Sequence, residues 1–235
     1  MAGRKAYEPQ NQSQFDTYNG RGGVVLGPYS SHIWRDDPRH LCFLLARYKF
    51  AAKMLEGKKE VLEIGCGDSL GTALVLQCVE KVCAVDIEPL VIEDNIRRCE
   101  YGERCSYRVL DIASKPAGGK FDGAFALDVI EHIPPARERK FMANIAASLK
   151  PDGVCVIGTP NAAAAKHASK ASAAGHINLK TAEELKKTMA RCFSNVFLFS
   201  MNDEVVHTGF KPMAHYLFAL GAVLHWAMAR FQISS

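Results

Sequence analysis

The stretch Val61-Leu-Glu-Ile-Gly-Cys-Gly-Asp-Ser-Leu-Gly71 sets one acidic residue, Glu63, in an apolar run and follows it at once with Gly65-Cys66-Gly67. A short apolar run ending in glycines reads as a buried strand entering a tight turn, where the backbone bends and approaches a ligand with no side chain in the way. Working outward, four more short apolar runs follow: KVCAVD (81–86), CSYRVLD (105–111), FDGAFALD (121–128) and GVCVIGT (153–159). Segments near 69–79, 89–99 and 135–149 between them carry helical patterning, and LKPDG (149–153) closes the last with a Pro-Asp-Gly turn. This alternation predicts a parallel sheet wrapped by helices. TAEELKKTMARCF (181–193) opens as a capped helix, and NVFLFSM (195–201) and AHYLFALGAVL (214–224) supply two last strands. The expected fold is α/β: a doubly wound, mostly parallel seven-stranded sheet with helices on both faces.

The flanks differ in texture. Residues 1 to about 37 are rich in Gly, Asn, Gln and Ser with scattered aromatics, which predicts an irregular arm ordered by packing on something else. From Asp37, DPRHLCFLLARYKFAAKMLEGK has a helix start, apolar residues at helical spacing and a terminal Gly57. Residues 1–55 are thus expected to form an arm and a docking helix, and 56–235 the main domain. NAAAAKHASKASAAG (161–175) lacks an apolar stripe and predicts a mobile loop beyond the fifth strand.

The chain has 235 residues, 48% hydrophobic and 23% charged, with a formal net charge of +4. Its Lys and Arg are dispersed, with no run that would track phosphates, so no nucleic-acid partner is implied. Eight cysteines, at 42, 66, 78, 83, 99, 105, 155 and 192, form no C-x-x-C pair and read as the reduced thiols of a cytoplasmic protein. The first sixteen residues contain no apolar core of a secretory signal. Met213–Ala229 is strongly apolar but carries two histidines and falls short of the ~20 residues a membrane span needs. It is expected to be a buried strand with a short tail, or else a subunit contact in a homodimer. No zinc spacing and no compact set of oxygen ligands is visible, so no metal centre is expected.

Asp86 ends the second strand, at a distance from the glycines suited to hydrogen-bonding ribose hydroxyls. A dinucleotide turn wants a third glycine where this chain has Leu70; Gly71 comes one place late. Glu63, near the helix mouth, would repel a pyrophosphate and suits a ligand bearing an ammonium, as S-adenosylmethionine does. The plainer alternative is a solvated strand residue beside an ordinary tight turn.

VLEIGCG, VDIEP, VLDIAS, FDGAFALDVIEHIP and LKPDGVCVIGTPN, in this order and spacing, resemble the successive motifs of the Rossmann-like (class I) S-adenosylmethionine-dependent methyltransferases over residues 58–161. GHINLKTAEELKKTM (175–189) is more loosely similar to small-molecule methyltransferases of the ubiquinone-biosynthesis O-methyltransferase type. The resemblance implies that Glu63, Gly65, Cys66 and Gly67 line the methionine and ribose end, and that Asp86 takes the ribose hydroxyls. It places Ile87 against the adenine, Asp111 and Ile112 at the adenine edge, and Asp128 and Val129 beside the reacting methyl. For Asp111 a turn-capping role stands as the alternative.

Methyl transfer from a sulfonium is an in-line displacement, and a hydroxyl acceptor must also lose a proton. His132 and His176 are the candidate catalytic residues, with Glu131 adjacent. His132 either takes the proton or fixes its loop through a backbone bond, and His176 either closes over the acceptor or is a surface histidine. Tyr18, Tyr29 and Trp34 either fold over the cofactor or simply pack the arm.

The first reading is methyl transfer to a small-molecule acceptor at oxygen, with S-adenosylhomocysteine as product. A nicotinamide-dependent oxidoreductase or epimerase is the second, opposed by Leu70, Glu63 and the lack of a Tyr-x-x-x-Lys pair. A non-catalytic cofactor-binding module is the third. LDVIEH carries neither the Asn/Asp-Pro-Pro-aromatic element nor the Pro-Cys of nucleic-acid-directed members.

Overall fold

The computed structural model describes residues 5–167, 174–202, 205–208 and 216–222. Eight strands form one sheet: β1 (Glu60–Ile64), β2 (Lys81–Asp86), β3 (Cys105–Val109), β4 (Phe121–Leu127), β5 (Leu149–Pro160), β6 (Asn195–Asn202), β7 (Val205–Thr208) and β8 (Tyr216–Ala222). Their order is β3-β2-β1-β4-β5-β8-β6-β7. The pairings from β3 to β5 are parallel, and β8 runs antiparallel to both β5 and β6. The seven expected strands are all present; β7, a four-residue antiparallel partner of β6, is the addition. Of the expected strand over 214–224, residues 216–222 are described and form β8.

The helices are α1 (Gln12–Arg21), α2 (Pro28–Asp36), α3 (Arg39–Met54), α4 (Thr72–Val75), α5 (Pro89–Arg98), α6 (Pro135–Ser148) and α7 (Ala182–Ala190). Three expectations need correction. LKPDG (149–153), expected as a turn ahead of the fifth strand, belongs to β5, which bulges out of register between its Leu149–Phe121 and Val154–Gly123 pairings. The arm is helical rather than irregular, with Pro28 in the first turn of α2, where its fixed φ and missing N–H are no handicap. The helix expected over 69–79 is a single turn, α4, followed by turns as far as Cys78. The described part of the low-complexity stretch, Ala162–His167, is 3-10 helix. At α7 the expected cap is present: the Thr181 hydroxyl accepts from the Glu184 N–H, and the Glu184 carboxylate accepts from the Thr181 N–H at 2.9 Å.

β1 explains the opening apolar run, because it is buried on both faces of the sheet. Leu62 and Ile64 join Phe141, Ile145, Leu185 and Met189 under α6 and α7. Val61 joins Phe50, Leu55, Val75, Phe125 and Phe218 under α3 and α4. Glu63 shares the second face, paired in register with Ala84 and Phe125. The docking helix therefore lies across the face that carries the acidic residue. No helix among the described residues is long and apolar enough to cross a membrane.

Candidate active site

Ligands of open α/β sheets collect at the carboxyl ends of the strands, and the turn after β1 is shaped for close approach. Gly65 and Gly67 have φ of +69° and +50°, in the left-handed region that favours glycine. A Cβ on Gly65 would fall 2.4 Å from Cγ2 of Val129, so that glycine is what admits Val129 to the turn. The Gly67 N–H donates to Asp86 Oδ2 at 2.9 Å, and Asn95 Nδ2 donates to the Gly67 carbonyl at 2.7 Å. Asp86 Oδ1 accepts from the Glu88 N–H at 3.0 Å, so Asp86 both shapes the turn and ends β2 at its rim. Ile87 beside it is 65% exposed, a large apolar side chain open to a flat partner. Cys66 turns inward among core residues, where burial pushes its thiol far up in pKa, and its Sγ lies 3.5 Å from the Gly67 carbonyl.

Glu63 lies beneath the turn rather than at its mouth, and is only 1% exposed. Its Oε1 accepts from Tyr48 Oη at 2.9 Å and its Oε2 from Thr72 Oγ1 at 2.7 Å. Burial raises its pKa to about 7 against the lowering effect of those two hydroxyls. Gly71 gains a physical role here: a Cβ at that position would fall 2.1 Å from Cγ of Tyr48. The late glycine thus lets the α3 tyrosine reach the β1 carboxylate. With α4 only four residues long, there is no extended helix N-terminus to seat a pyrophosphate.

Asp111 accepts from the Ala113 N–H at 2.9 Å, from Ser114 Oγ at 2.6 Å and from Arg137 Nη2 at 2.6 Å, the turn-capping arrangement. Burial opposes its charge, but Ser114 and Arg137 hold its pKa below the ordinary value. The Ile112 side chain is buried in the α6 core. Asp128 is one of two non-glycine residues at positive φ among the described residues, at +57°, a conformation that is uncommon outside sites where the surroundings enforce it. The Gly158 carbonyl accepts its N–H at 3.0 Å, and Arg47 Nη1 of α3 donates to its Oδ2 at 2.8 Å.

Beyond Asp128 the structure brings His176 to the consecutive pair Glu131-His132. Glu131, His132 and His176 present ligand atoms that all lie within 4.8 Å of one another, with the imidazole centroids 5.2 Å apart. No metal pattern was visible in the sequence, yet this set has the donor chemistry of a divalent-cation site. His132 Nδ1 lies 2.9 Å from the Gly175 carbonyl, so Nδ1 carries the proton and Nε2 keeps its lone pair. Burial first and His132 second lower the His176 pKa. Burial first and Asp128 second raise that of Glu131.

The segment bearing His176 is fastened from below. The Asn178 N–H donates to the Glu131 carbonyl at 2.9 Å, and Asn178 Nδ2 donates to Glu138 Oε2 at 2.8 Å. Lys180 Nζ meets the same carboxylate oxygen at 2.6 Å, and Thr188 Oγ1 donates to Glu138 Oε1 at 3.1 Å.

The arm meets the site at one point. Tyr29 lies against Gly67, where a Cβ would fall 3.3 Å from its ring, and burial followed by Asp86 raises its pKa. Ser30 fixes α2 to the turn: its N–H and hydroxyl donate to the two oxygens of Asp68 at 2.6 and 2.9 Å. Tyr18 and Trp34 are largely exposed. Sequence reasoning missed Ser30, Arg47, Tyr48 and Asp68, and also Tyr216 of β8, whose ring centroid lies 4.1 Å from the Arg47 guanidinium. The sequence offers little signal for Arg47 and Tyr48, since the docking helix also carries Arg39, His40, Lys49 and Lys53.

A parallel sheet of this order, with a left-handed glycine turn tied to an acidic residue at the end of β2, defines the class: Rossmann-like S-adenosylmethionine-dependent methyltransferases. Residues 33–192 match the family model described as "Methyltransferase domain", and the chain belongs to that family. It is 30% identical over 115 residues to a ubiquinone biosynthesis O-methyltransferase of Xanthomonas axonopodis pv. citri (strain 306), covering 47% of each chain. A second such relative, from Rickettsia canadensis (strain McKiel), is 30% identical over 110 residues, 44% of each chain. The match thus spans about half the length of these curated relatives. Among solved structures, the N-methyltransferase NodS from Bradyrhizobium japonicum WM9, in complex with S-adenosylhomocysteine, superposes with a TM-score of 0.58 at 20% identity, over 82% of this chain and 92% of that one. A SAM-dependent methyltransferase from Archaeoglobus fulgidus superposes with a TM-score of 0.60 at 20% identity, over 83% and 100%.

Proposed function

We propose that this protein transfers the methyl group of S-adenosylmethionine to a hydroxyl oxygen of a small molecule. One observation carries the reading: the glycine turn, Asp86 and the buried Glu63 on one side adjoin a polar basin of Asp128, Glu131, His132 and His176 on the other. The cofactor supplies a sulfonium-bound methyl. Gly65 and Gly67 let the backbone approach it, Asp86 and the exposed Ile87 receive the ribose and adenine, and Glu63 offers negative charge from beneath the turn to the amino-acid tail. Asp111 and Ile112 contribute at the adenine end through backbone and turn geometry, while Cys66, Asp128 and Val129 border the methionine end. His132 Nε2 accepts the hydroxyl proton, its Nδ1–H already being committed to Gly175. The curated relatives are O-methyltransferases by name, which supports oxygen as the acceptor atom.

The test is calorimetric titration with S-adenosylhomocysteine and with NAD, followed by transfer of labelled methyl to hydroxyl compounds. Micromolar binding of the first alone is expected; preferential binding of NAD would overturn the reading. His132→Gln is expected to lower kcat by about 10²-fold or more, with cofactor affinity unchanged.

A second reading is favoured by the Glu131, His132 and His176 cluster, which would hold a divalent cation that acidifies the bound hydroxyl. Loss of turnover on chelation, restored by Mn²⁺ or Zn²⁺, selects this reading. Turnover that survives chelation selects His132 as the base.

A further inference from the structure

Three buried polar atoms in one neighbourhood make no well-aligned hydrogen bond: Nε of Arg47, Oε1 of Glu131, and Oη of Tyr216, which has the Asp128 carboxylate beside it. The Arg47 guanidinium lies 4.1 Å from the centroid of the Tyr216 ring, with Nη1 on Asp128. The other Glu131 oxygen accepts from Thr159 Oγ1 at 2.9 Å, and Tyr216 pairs in register with Pro160, the next residue along β5. A Cβ on Gly158 would fall 2.6 Å from Tyr216 Oη, which puts that hydroxyl over the end of β5. Among the described residues only two other buried side-chain atoms stand so, on Ser69 and Ser200, well apart in the sequence. A buried polar atom so poorly satisfied is costly in an unliganded fold. Three of them, converging at strand ends from α3, β8 and the turn after β4, mark a place that a ligand completes.

The atoms specify the ligand. Arg47 Nε–H donates, and the Glu131 carboxyl and the Tyr216 hydroxyl can each accept or donate, a set that matches hydroxyl groups. Asp128 already neutralises the Arg47 charge and Glu138 that of Lys180, so an anionic group finds no free cation from either. The Arg47 guanidinium occupies one face of the Tyr216 ring, and Phe218 meets that ring in an edge-to-face contact 5.0 Å away. The three groups stand on separate elements, which suits hydroxyls projecting from tetrahedral carbons better than two hydroxyls on one edge of a flat ring.

We infer that Arg47, Tyr216 and Glu131 bind the methyl acceptor, and that the acceptor is an uncharged aliphatic compound with adjacent hydroxyls. This rests on the methyl-transfer reading above. The carbon–oxygen bond forms as the carbon–sulfur bond breaks, the sulfonium leaves as a thioether, and the hydroxyl proton passes to the base.

The test uses the full chain with labelled S-adenosylmethionine and a panel of methyl glycosides of glucose, galactose, mannose and rhamnose, with catechol and glucose 6-phosphate as contrasts. At least one glycoside is expected to exceed both contrasts about tenfold in kcat/KM. Tyr216→Phe is expected to raise the glycoside KM about tenfold while the Kd for S-adenosylhomocysteine stays within about twofold. Its Tm should change little, since the lost hydroxyl has only Asp128 beside it and Asp128 keeps its ion pair with Arg47. Arg47→Lys, which keeps the charge beside Asp128 and removes Nε, is expected to raise KM likewise. Preference for catechol or the phosphate, transfer to no glycoside, or unchanged KM in both variants overturns the inference with cofactor binding intact. Failure to bind S-adenosylhomocysteine would instead overturn the underlying reading.

Discussion

Replacing Glu63 by Gln removes a charge while leaving the hydrogen-bond framework in place. Gln can accept from Thr72 through its oxygen and donate to Tyr48 through its nitrogen, so both bonds to the carboxylate have successors. In the wild-type protein burial holds the Glu63 pKa at about 7, above the 4.5 of the free side chain. Below pH 4.5 the group is protonated in both folded and unfolded chains, and its contribution to stability is fully present. As the pH rises through about 7 that contribution is lost, because the folded protein must then ionise a buried acid. The loss amounts to about 3 kcal/mol, at roughly 1.4 kcal/mol per pH unit between the two values. Glu63→Gln should therefore be more stable than the parent at pH 8, by up to ~3 kcal/mol in urea unfolding, and equal to it near pH 4. Cofactor binding should move the opposite way. An ammonium about 6 Å from an ionised carboxylate, at an effective dielectric near 20, is stabilised by roughly 3 kcal/mol, so S-adenosylhomocysteine should bind on the order of a hundredfold more weakly to the variant at pH 8. Calorimetric titration of both proteins at pH 6 and 8 measures this, with the parent gaining affinity as the pH rises and the variant flat. A Kd within about threefold of the parent at pH 8 would refute the idea that a destabilising carboxylate is kept to hold the cofactor's amino-acid tail.

Gly71→Ala should destabilise the protein by about 2–4 kcal/mol in denaturant unfolding, since the new Cβ overlaps the buried Tyr48 ring and strains its bond to Glu63. Glu138→Ala should cost about 3 kcal/mol by leaving the half-buried Lys180 ammonium without a counter-charge, held only by Asn178 Oδ1, and the Glu138→Gln, Lys180→Met double variant should recover part of it. The same alanine variant should lower kcat as the His176 segment loosens, which steady-state kinetics with saturating cofactor would detect. Asp68→Ala should free α2 from the glycine turn, seen as faster proteolysis within residues 22–27 and faster release of S-adenosylhomocysteine in stopped flow.

The sheet was legible because β1, β2, β4 and the second half of β5 are apolar and punctuated, as parallel strands buried on both faces are, whereas the edge strand β3, half exposed, was placed by its position between turns. The glycine turn and Asp86 were legible for a related reason: backbone geometry and a strand end fix them locally, within about twenty residues. What escaped is non-local. Tyr48 lies 15 residues before Glu63, and Arg47 lies 81 before Asp128. Neither pairing has a period or spacing to betray it; each exists only because α3 packs across the sheet face that carries β1 and β4. The helical arm was illegible for another reason, since α1 buries none of its residues and α2 only Ser30, so neither carries the apolar stripe that sequence reading relies on. These missed residues share a position as well as a cause. Ser30, Tyr48 and Asp68 touch the glycine turn or the acid beneath it, and Arg47 and Tyr216 face the basin beyond Asp128. The family motifs run along β1 to β5 and describe the cofactor half of the site. On the proposed reading the acceptor side draws on those motifs and on the segments around them: Glu131 and His132 stand in the fourth motif, while Arg47, His176 and Tyr216 come from segments outside them, where acceptor choice can change without disturbing the glycine turn.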